Sequence, residues 1–121
     1  WEESDHREME VKGRDIAEGM SHSLIIGSDE VYDAISESLR QIVRVIRETL
    51  ENTPPELAAD IGDRGMVIAG GGALIRDMDR RLMQETGLPV VVADDPLTCV
   101  ARGCGRALEE MSALGDVFTH E

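Results

Sequence analysis

Aromatic side chains are nearly missing from this 121-residue chain, which has only Trp1, Tyr32 and Phe118. Basic residues are scarce as well: 12 Lys and Arg stand against 25 Asp and Glu, for a formal net charge of −13. A surface this acidic repels phosphates, which argues against a DNA- or RNA-binding module. No apolar run approaches the ~20 residues of a membrane-spanning helix. Two cysteines, Cys99 and Cys104, cannot frame a disulfide-rich secreted scaffold. The opening Trp1-Glu2-Glu3-Ser4-Asp5 has no initiator Met, basic region or apolar region, so it does not read as a signal peptide. The expectation is a piece of a longer protein, or one with something removed upstream. Apolar residues make up 41% of the chain, enough for a modest core, and the length suits one domain.

From Glu8 the pattern alternates, with Met9 and Val11 apolar and Glu10 and Lys12 polar. A second apolar run follows at Leu24-Ile25-Ile26. Two strands joined by a long connection are predicted. Ser28-Asp29-Glu30 opens a helix, with Ser28 as N-cap and two acids at the positive end of the dipole. Val31, Ile35, Leu39, Ile42, Val43, Ile46 and Leu50 fall in steps of three and four, one stripe over about six turns. Thr53, Pro54 and Glu56 predict a second start, with Thr53 capping and Pro54 first in a short helix to Ile61. Asp63-Arg64-Gly65 then turns the chain.

Met66-Val67-Ile68-Ala69 reads as a buried parallel strand. Gly70-Gly71-Gly72 follows at once, then a helix marked by Leu74, Ile75, Met78, Leu82 and Met83 and closed by Gly87. Pro89–Ala93 is a second buried strand. Asp95-Pro96 reads as cap and first residue of a last helix from about Leu97 to Met111, striped by Val100, Cys104, Leu108 and Met111. The order β-Gly loop-α-β-α implies a parallel sheet.

Without Cβ atoms, three glycines after a strand let backbone approach a ligand closely. The helix start beyond them offers N–H groups, and ligands of open α/β sheets bind past the carboxyl ends of strands. A nucleotide is the natural candidate. Glycines at such a turn also serve the turn alone. Neither the dinucleotide fingerprint nor the Walker loop fits, because Gly72 is followed by Ala73-Leu74-Ile75.

The run Asp63–Arg76 resembles the adenosine motif of the actin-like ATPase superfamily, and within it the bacterial actin homologues of the MreB family, which determine rod cell shape. The resemblance continues through Leu82–Gly103, upstream through Pro54–Ile61, and in Val11–Gly19, which looks like the family's hairpin. It implies an α/β, actin-like (ribonuclease-H-like) ATPase fold, of which this chain is the C-terminal third. Residues 1–27 would be an acidic start and the β-hairpin of domain II, and 28–62 a long and a short helix. Residues 63–96 would be the nucleotide-binding β-Gly loop-α-β unit, 97–114 the helix closing toward domain I, and 115–121 a tail expected to be loose.

In the family, ATP lies in a cleft between two domains. By resemblance Gly70, Gly71, Gly72 and Ala73 contact it through backbone, and Leu74 packs near the adenine. The phosphate loops, the water-activating acid and Mg²⁺ belong to the N-terminal two thirds, so ATPase activity is a property of the full-length family and no catalytic residue is assigned here. The implied partners are other filament subunits and the membrane proteins of cell shape and cell-wall synthesis. The implied location is the cytoplasm, at the inner face of the cell membrane. This chain itself has no basic amphipathic helix suited to a membrane surface. Two other readings stay open: an ATP-dependent sugar- or acetate-kinase-type enzyme of the same superfamily, against which Thr86–Gly103 argues, and an interaction module that no longer binds nucleotide.

One departure stands in Arg102-Gly103-Cys104-Gly105, where the family more usually has glycine at the position of Cys104. A thiol adds volume if that helix packs closely on domain I. His6, His22 and His120 show no metal spacing. Cys99 and Cys104, five apart on one helix, point to different faces and read as reduced packing residues. Arg40, Arg44 and Arg47 read as a solvated row with local ion pairs, with a docking row as the sharper alternative. Glu109 and Glu110 are adjacent surface acids rather than a catalytic pair.

Overall fold

The structure, a computed structural model, describes residues 6–111. The tail expected to be loose, most of the acidic start, and Trp1, Phe118 and His120 lie outside the described residues. Two compact units emerge, Trp1–Thr49 and Leu50–Glu121.

In the first unit, strands β1 (Glu8–Arg14) and β2 (Ser21–Gly27) pair antiparallel. Met9 lies opposite Ile26 and Val11 opposite Leu24, so the period-2 apolar positions share one face. The long connection expected between them is closed by Asp15. Its N–H donates to the Met20 carbonyl at 2.8 Å and its own carbonyl accepts the Gly19 N–H at 2.8 Å. Its Oδ1 accepts the N–H groups of Ala17 (2.8 Å) and Glu18 (3.2 Å), an Asx turn.

Helix α1 (Ser28–Glu51) follows directly. Ser28 is its first residue rather than a cap outside it. The Ser28 N–H donates to the Arg7 carbonyl at 2.8 Å, and its Oγ accepts the Arg7 N–H at 3.0 Å. The hydroxyl therefore fastens the helix start to the chain entering β1. Along the predicted stripe Leu39 and Val43 are buried and Ile35, Ile46 and Leu50 half-buried, while Val31 and Ile42 are exposed. Arg40 donates to Glu37 and Arg44 to Glu48, each at 3.0 Å. These are the local pairs expected of a solvated row.

In the second unit, helix α2 (Pro55–Arg64) begins one residue later than expected, with Pro54 at the cap and Pro55 inside. It runs on past Ile61, and Gly65 ends it at φ +81°, its N–H donating to Ile61 O at 2.7 Å. Strands β3 (Met66–Ile68) and β4 (Val90–Val92) pair in parallel, Met66 beside Val90 and Ile68 beside Val92. Met66 N–H to Pro89 O (2.8 Å) and Ala93 N–H to Ile68 O (2.9 Å) carry the ladder one step past each end. Helix α3 (Met78–Thr86) packs on β4. Leu82, 2% exposed, meets a core that includes buried Met78 and Val90. Gly87 caps α3 in the left-handed conformation, φ +72°, as expected.

Three expectations need correction. The β3–β4 pair is not buried on both faces: Val67 is 67% and Val91 57% exposed. Among the described residues α3 covers one face only. The helix expected straight after Gly72 is instead a four-residue 3-10 turn, Gly71–Leu74, and α3 starts only after Asp77, which is left-handed at φ +59°. The last helix, α4 (Cys99–Glu109), starts later than Asp95-Pro96 indicated, with Thr98 at the cap position. Asp95 is left-handed (φ +49°) and its carbonyl accepts the Thr98 N–H at 3.1 Å, so a separate turn precedes the helix. The predicted α4 stripe is exposed at Val100, Cys104, Leu108 and Met111 alike. Among the described residues no helix is long and apolar enough to cross a membrane.

Leu82→Ala should lower stability by about 3 kcal/mol, because it empties the most buried position of the α3–β4 core. Gly65→Ala should cost at least about 2 kcal/mol, since a Cβ there sits at positive φ. That Cβ would also meet the Pro89 carbonyl, and Pro89 Cβ at 2.8 Å. Urea denaturation of both variants against the parent chain measures each loss.

Candidate functional site

The glycine segment leaves β3 at its carboxyl end. Gly70 has φ +83° and ψ 174°, a backbone that an L side chain rarely adopts. Its N–H donates to the Pro96 carbonyl at 2.8 Å, and its own carbonyl accepts the Ala73 N–H at 3.1 Å. The Ile75 N–H donates to Gly72 O at 3.2 Å and closes the 3-10 turn. Ala73 is buried and packs the turn down, while Gly71, Gly72, Leu74 (57% exposed) and Ile75 face outward.

Among the described residues beyond its chain neighbours, a Cβ built on Gly70 or Gly72 meets no atom within 4 Å, and one on Gly71 meets only Leu97 Cδ2 at 3.5 Å. Gly65 is glycine because Pro89 leaves no room. Among the described residues Gly72 has neither a crowding neighbour nor a positive φ, so their packing does not require a glycine there. Bare backbone facing open space beside two exposed apolar side chains suits the close approach of a flat, weakly polar ligand edge.

The start of α3 does not supply the anion site expected from a helix opening on the glycines. Asp77 precedes it and Asp79 lies in its first turn, and carboxylates there oppose a phosphate.

A second wall is the turn Asp94–Thr98. Thr98 Oγ1 donates to Asp95 Oδ2 at 2.8 Å. From one turn inside α4, Arg102 donates through Nη2 to the carbonyls of Asp94 (2.7 Å) and Asp95 (3.2 Å), and through Nε to Thr98 Oγ1 (3.0 Å). Arg102 drew no attention in the sequence. The Thr98–Arg102 spacing of four, behind an Asp-Asp-Pro turn, was the signal available.

The remaining candidates are dispersed. His22 Nε2 lies 3.2 Å from Glu18 and 4.0 Å from Asp15. These three side chains bring ligand-type atoms within 4.8 Å of one another on an exposed hairpin connection. The Asx turn and the ion pair account for that grouping. His6 lies 3.5 Å from Asp29, and Arg106 pairs with Glu110 at 3.1 Å. Both cysteines are free. Cys99 is half-buried, with its thiol 3.6 Å from the carbonyls of Asp94 and Asp95, whereas Cys104 is exposed and not the packing residue expected.

The MreB/Mbl family model matches residues 1–116. The chain belongs to the MreB/Mbl family. Cell shape-determining protein MreB of Escherichia coli (strain K12) is 55% identical over 116 residues, covering 95% of this chain and 33% of that protein. Cell shape-determining protein Mbl of Bacillus subtilis (strain 168) is 45% identical over 109 residues, 90% of this chain and 33% of its own length. Two crystal structures of MreB5 of Spiroplasma citri share the fold. The one bound to ADP has a TM-score of 0.81 at 37% identity, covering 88% of this chain and 32% of that one. The one bound to AMPPNP has a TM-score of 0.82 at 36% identity, covering 91% and 33%.

The fold is therefore that of part of an actin-like ATPase. The chain spans about a third of the length of the relatives it matches.

The two thiols of this family member should differ in reactivity. In the isolated 121-residue chain, Ellman's reagent should titrate both under native conditions, Cys104 first and Cys99 several-fold more slowly, because access governs attack.

Proposed function

We propose that Gly70, Gly71, Gly72, Ala73 and Leu74 form the adenosine side of an ATP site. In this reading the cleft is completed by the roughly two thirds of the family's length that this chain does not span. The observation that carries it is the open glycine backbone past the carboxyl end of a parallel strand, where ligands of open α/β sheets bind. Related MreB5 structures holding ADP and AMPPNP support it. The 3-10 turn presents backbone and the Leu74 side chain, a surface suited to a purine. Asp77 and Asp79 disfavour phosphate nearby, so phosphate and Mg²⁺ contacts fall to the rest of the protein.

The whole protein is then an ATP-binding, actin-like cytoskeletal protein that polymerises into filaments at the cytoplasmic face of the cell membrane. There it works with membrane proteins of cell shape and wall synthesis. Residues 1–27 contribute the hairpin of domain II, 28–62 the long and short helices, 63–96 the nucleotide unit and 97–114 a helix closing toward domain I. The exposed stripe on α4, with Val100 at 72%, is the face offered to that domain, and Cys104 lies on it.

Gly72→Val tests the site, because a Cβ there meets nothing within 4 Å among the described residues. In the full-length protein it should raise the Kd for a fluorescent ATP analogue at least about ten-fold, some 1.4 kcal/mol. The melting temperature without nucleotide should stay within a degree or two. Affinity equal to the parent's would remove the loop from the site.

A further inference from the structure

The position of the glycine loop depends on a turn that is braced from outside by Arg102. Gly70 N–H is bound to Pro96 O at 2.8 Å, so the loop sits where that carbonyl sits. The carbonyl follows Asp95, a non-glycine residue at φ +49°, in a region L residues seldom occupy. Such a conformation persists only where its surroundings over-determine it.

The surroundings are Thr98 and Arg102. Thr98 N–H and Oγ1 close onto Asp95. The Arg102 guanidinium spans the successive carbonyls of Asp94 and Asp95 and bonds Thr98 Oγ1 through Nε. In a chain with 25 acidic residues, Arg40, Arg44 and Arg106 donate to carboxylates within a helical turn. Arg102 instead directs its donors to backbone carbonyls, with Asp94 and Asp95 at hand. One nitrogen, Nη2, serves both carbonyls while Nε holds Thr98 Oγ1; a lysine ammonium, with a single nitrogen, does not reproduce that two-point hold.

We infer that Arg102 is a positioning residue for the nucleotide site: through the Asp94–Asp95 carbonyls and Pro96 it fixes Gly70, and so links the orientation of α4 to the glycine loop. This rests on the adenosine-side reading of the loop.

The test uses the full-length protein, Arg102→Ala, Arg102→Lys and Gly72→Val, with ATP, adenosine and tripolyphosphate as probes. In nucleotide-free protein, Arg102→Ala should speed hydrogen exchange of the Gly70 amide about ten-fold, with α3 amides unchanged. Arg102→Lys should fall between it and the parent. Affinity for ATP and for adenosine should drop by the same factor, about five- to ten-fold, while tripolyphosphate binding holds.

Unchanged Gly70 exchange overturns the inference, as does faster exchange with undiminished adenosine affinity. Equal loss of tripolyphosphate marks general loosening and also overturns it. Gly72→Val separates the two layers. If it binds adenosine as the parent does, the nucleotide reading falls and the positioning role with it. If it loses adenosine while Arg102→Ala does not, only the role of Arg102 falls.

Discussion

The constraint on which the candidate site depends is the parallel pairing of β3 with β4. Parallel strands send their carboxyl ends the same way, so the segments leaving them emerge side by side. Here those segments are the glycine loop and the Asp94–Thr98 turn, and the Gly70 to Pro96 hydrogen bond joins them. The pairing itself depends on two local solutions. Gly65 lets the chain pass against Pro89 before Met66 enters the ladder. Leu82 anchors the crossover helix, whose contacts reach β4 and the 3-10 turn. A shift of β4 by one residue would turn Val90 outward and carry the Pro96 carbonyl away from Gly70.

Charge then decides which part of a ligand such a loop suits. The loop's recognition elements are uncharged: backbone of three glycines, Leu74 and Ile75. The nearest helix start carries Asp77 and Asp79, and the chain as a whole is strongly acidic. A purine loses little solvation against these groups and gains apolar contact. The acidity that excluded a nucleic-acid partner at the level of composition also assigns this loop, on the proposed reading, the uncharged end of a nucleotide.

Much of the architecture was legible because its causes are periodic or local. The alternation at Met9 and Val11 describes the face shared with Leu24 and Ile26, and the three–four spacing from Ile35 to Leu50 a helix face buried at Leu39 and Val43. Gly87 was legible because a helix end needs a left-handed residue. What escaped has a common cause: hydrogen bonds that leave no trace in residue type. Leu74 and Ile75 continue the spacing of Met78 and Leu82, so the pattern reads as one helix. The Ile75–Gly72 bond and left-handed Asp77 break it. Asp95-Pro96 has the composition of a helix start, yet the Asp95 carbonyl is claimed by Thr98. Arg102 was invisible for the same reason, since its partners are mostly main-chain carbonyls. The openness around Gly72 was likewise unreadable, because a sequence does not distinguish a glycine needed for space from one needed for a turn.

The exposed apolar faces fit the same frame. A two-stranded parallel sheet covered on one side is less than parallel sheets normally present, since these are covered on both faces. Val67 and Val91 occupy the uncovered face, and Val100 and Leu108 lie on an exposed helix stripe. A chain that spans about a third of its relatives' length has somewhere for these faces to go. On the proposed reading, α4 is then both the element that packs against the rest of the protein and the one whose Arg102 holds the turn beneath the glycine loop. Movement of α4 with a neighbouring domain would reach the loop through the carbonyls of Asp94, Asp95 and Pro96 and the Gly70 amide, with no rearrangement of the α3–β4 core.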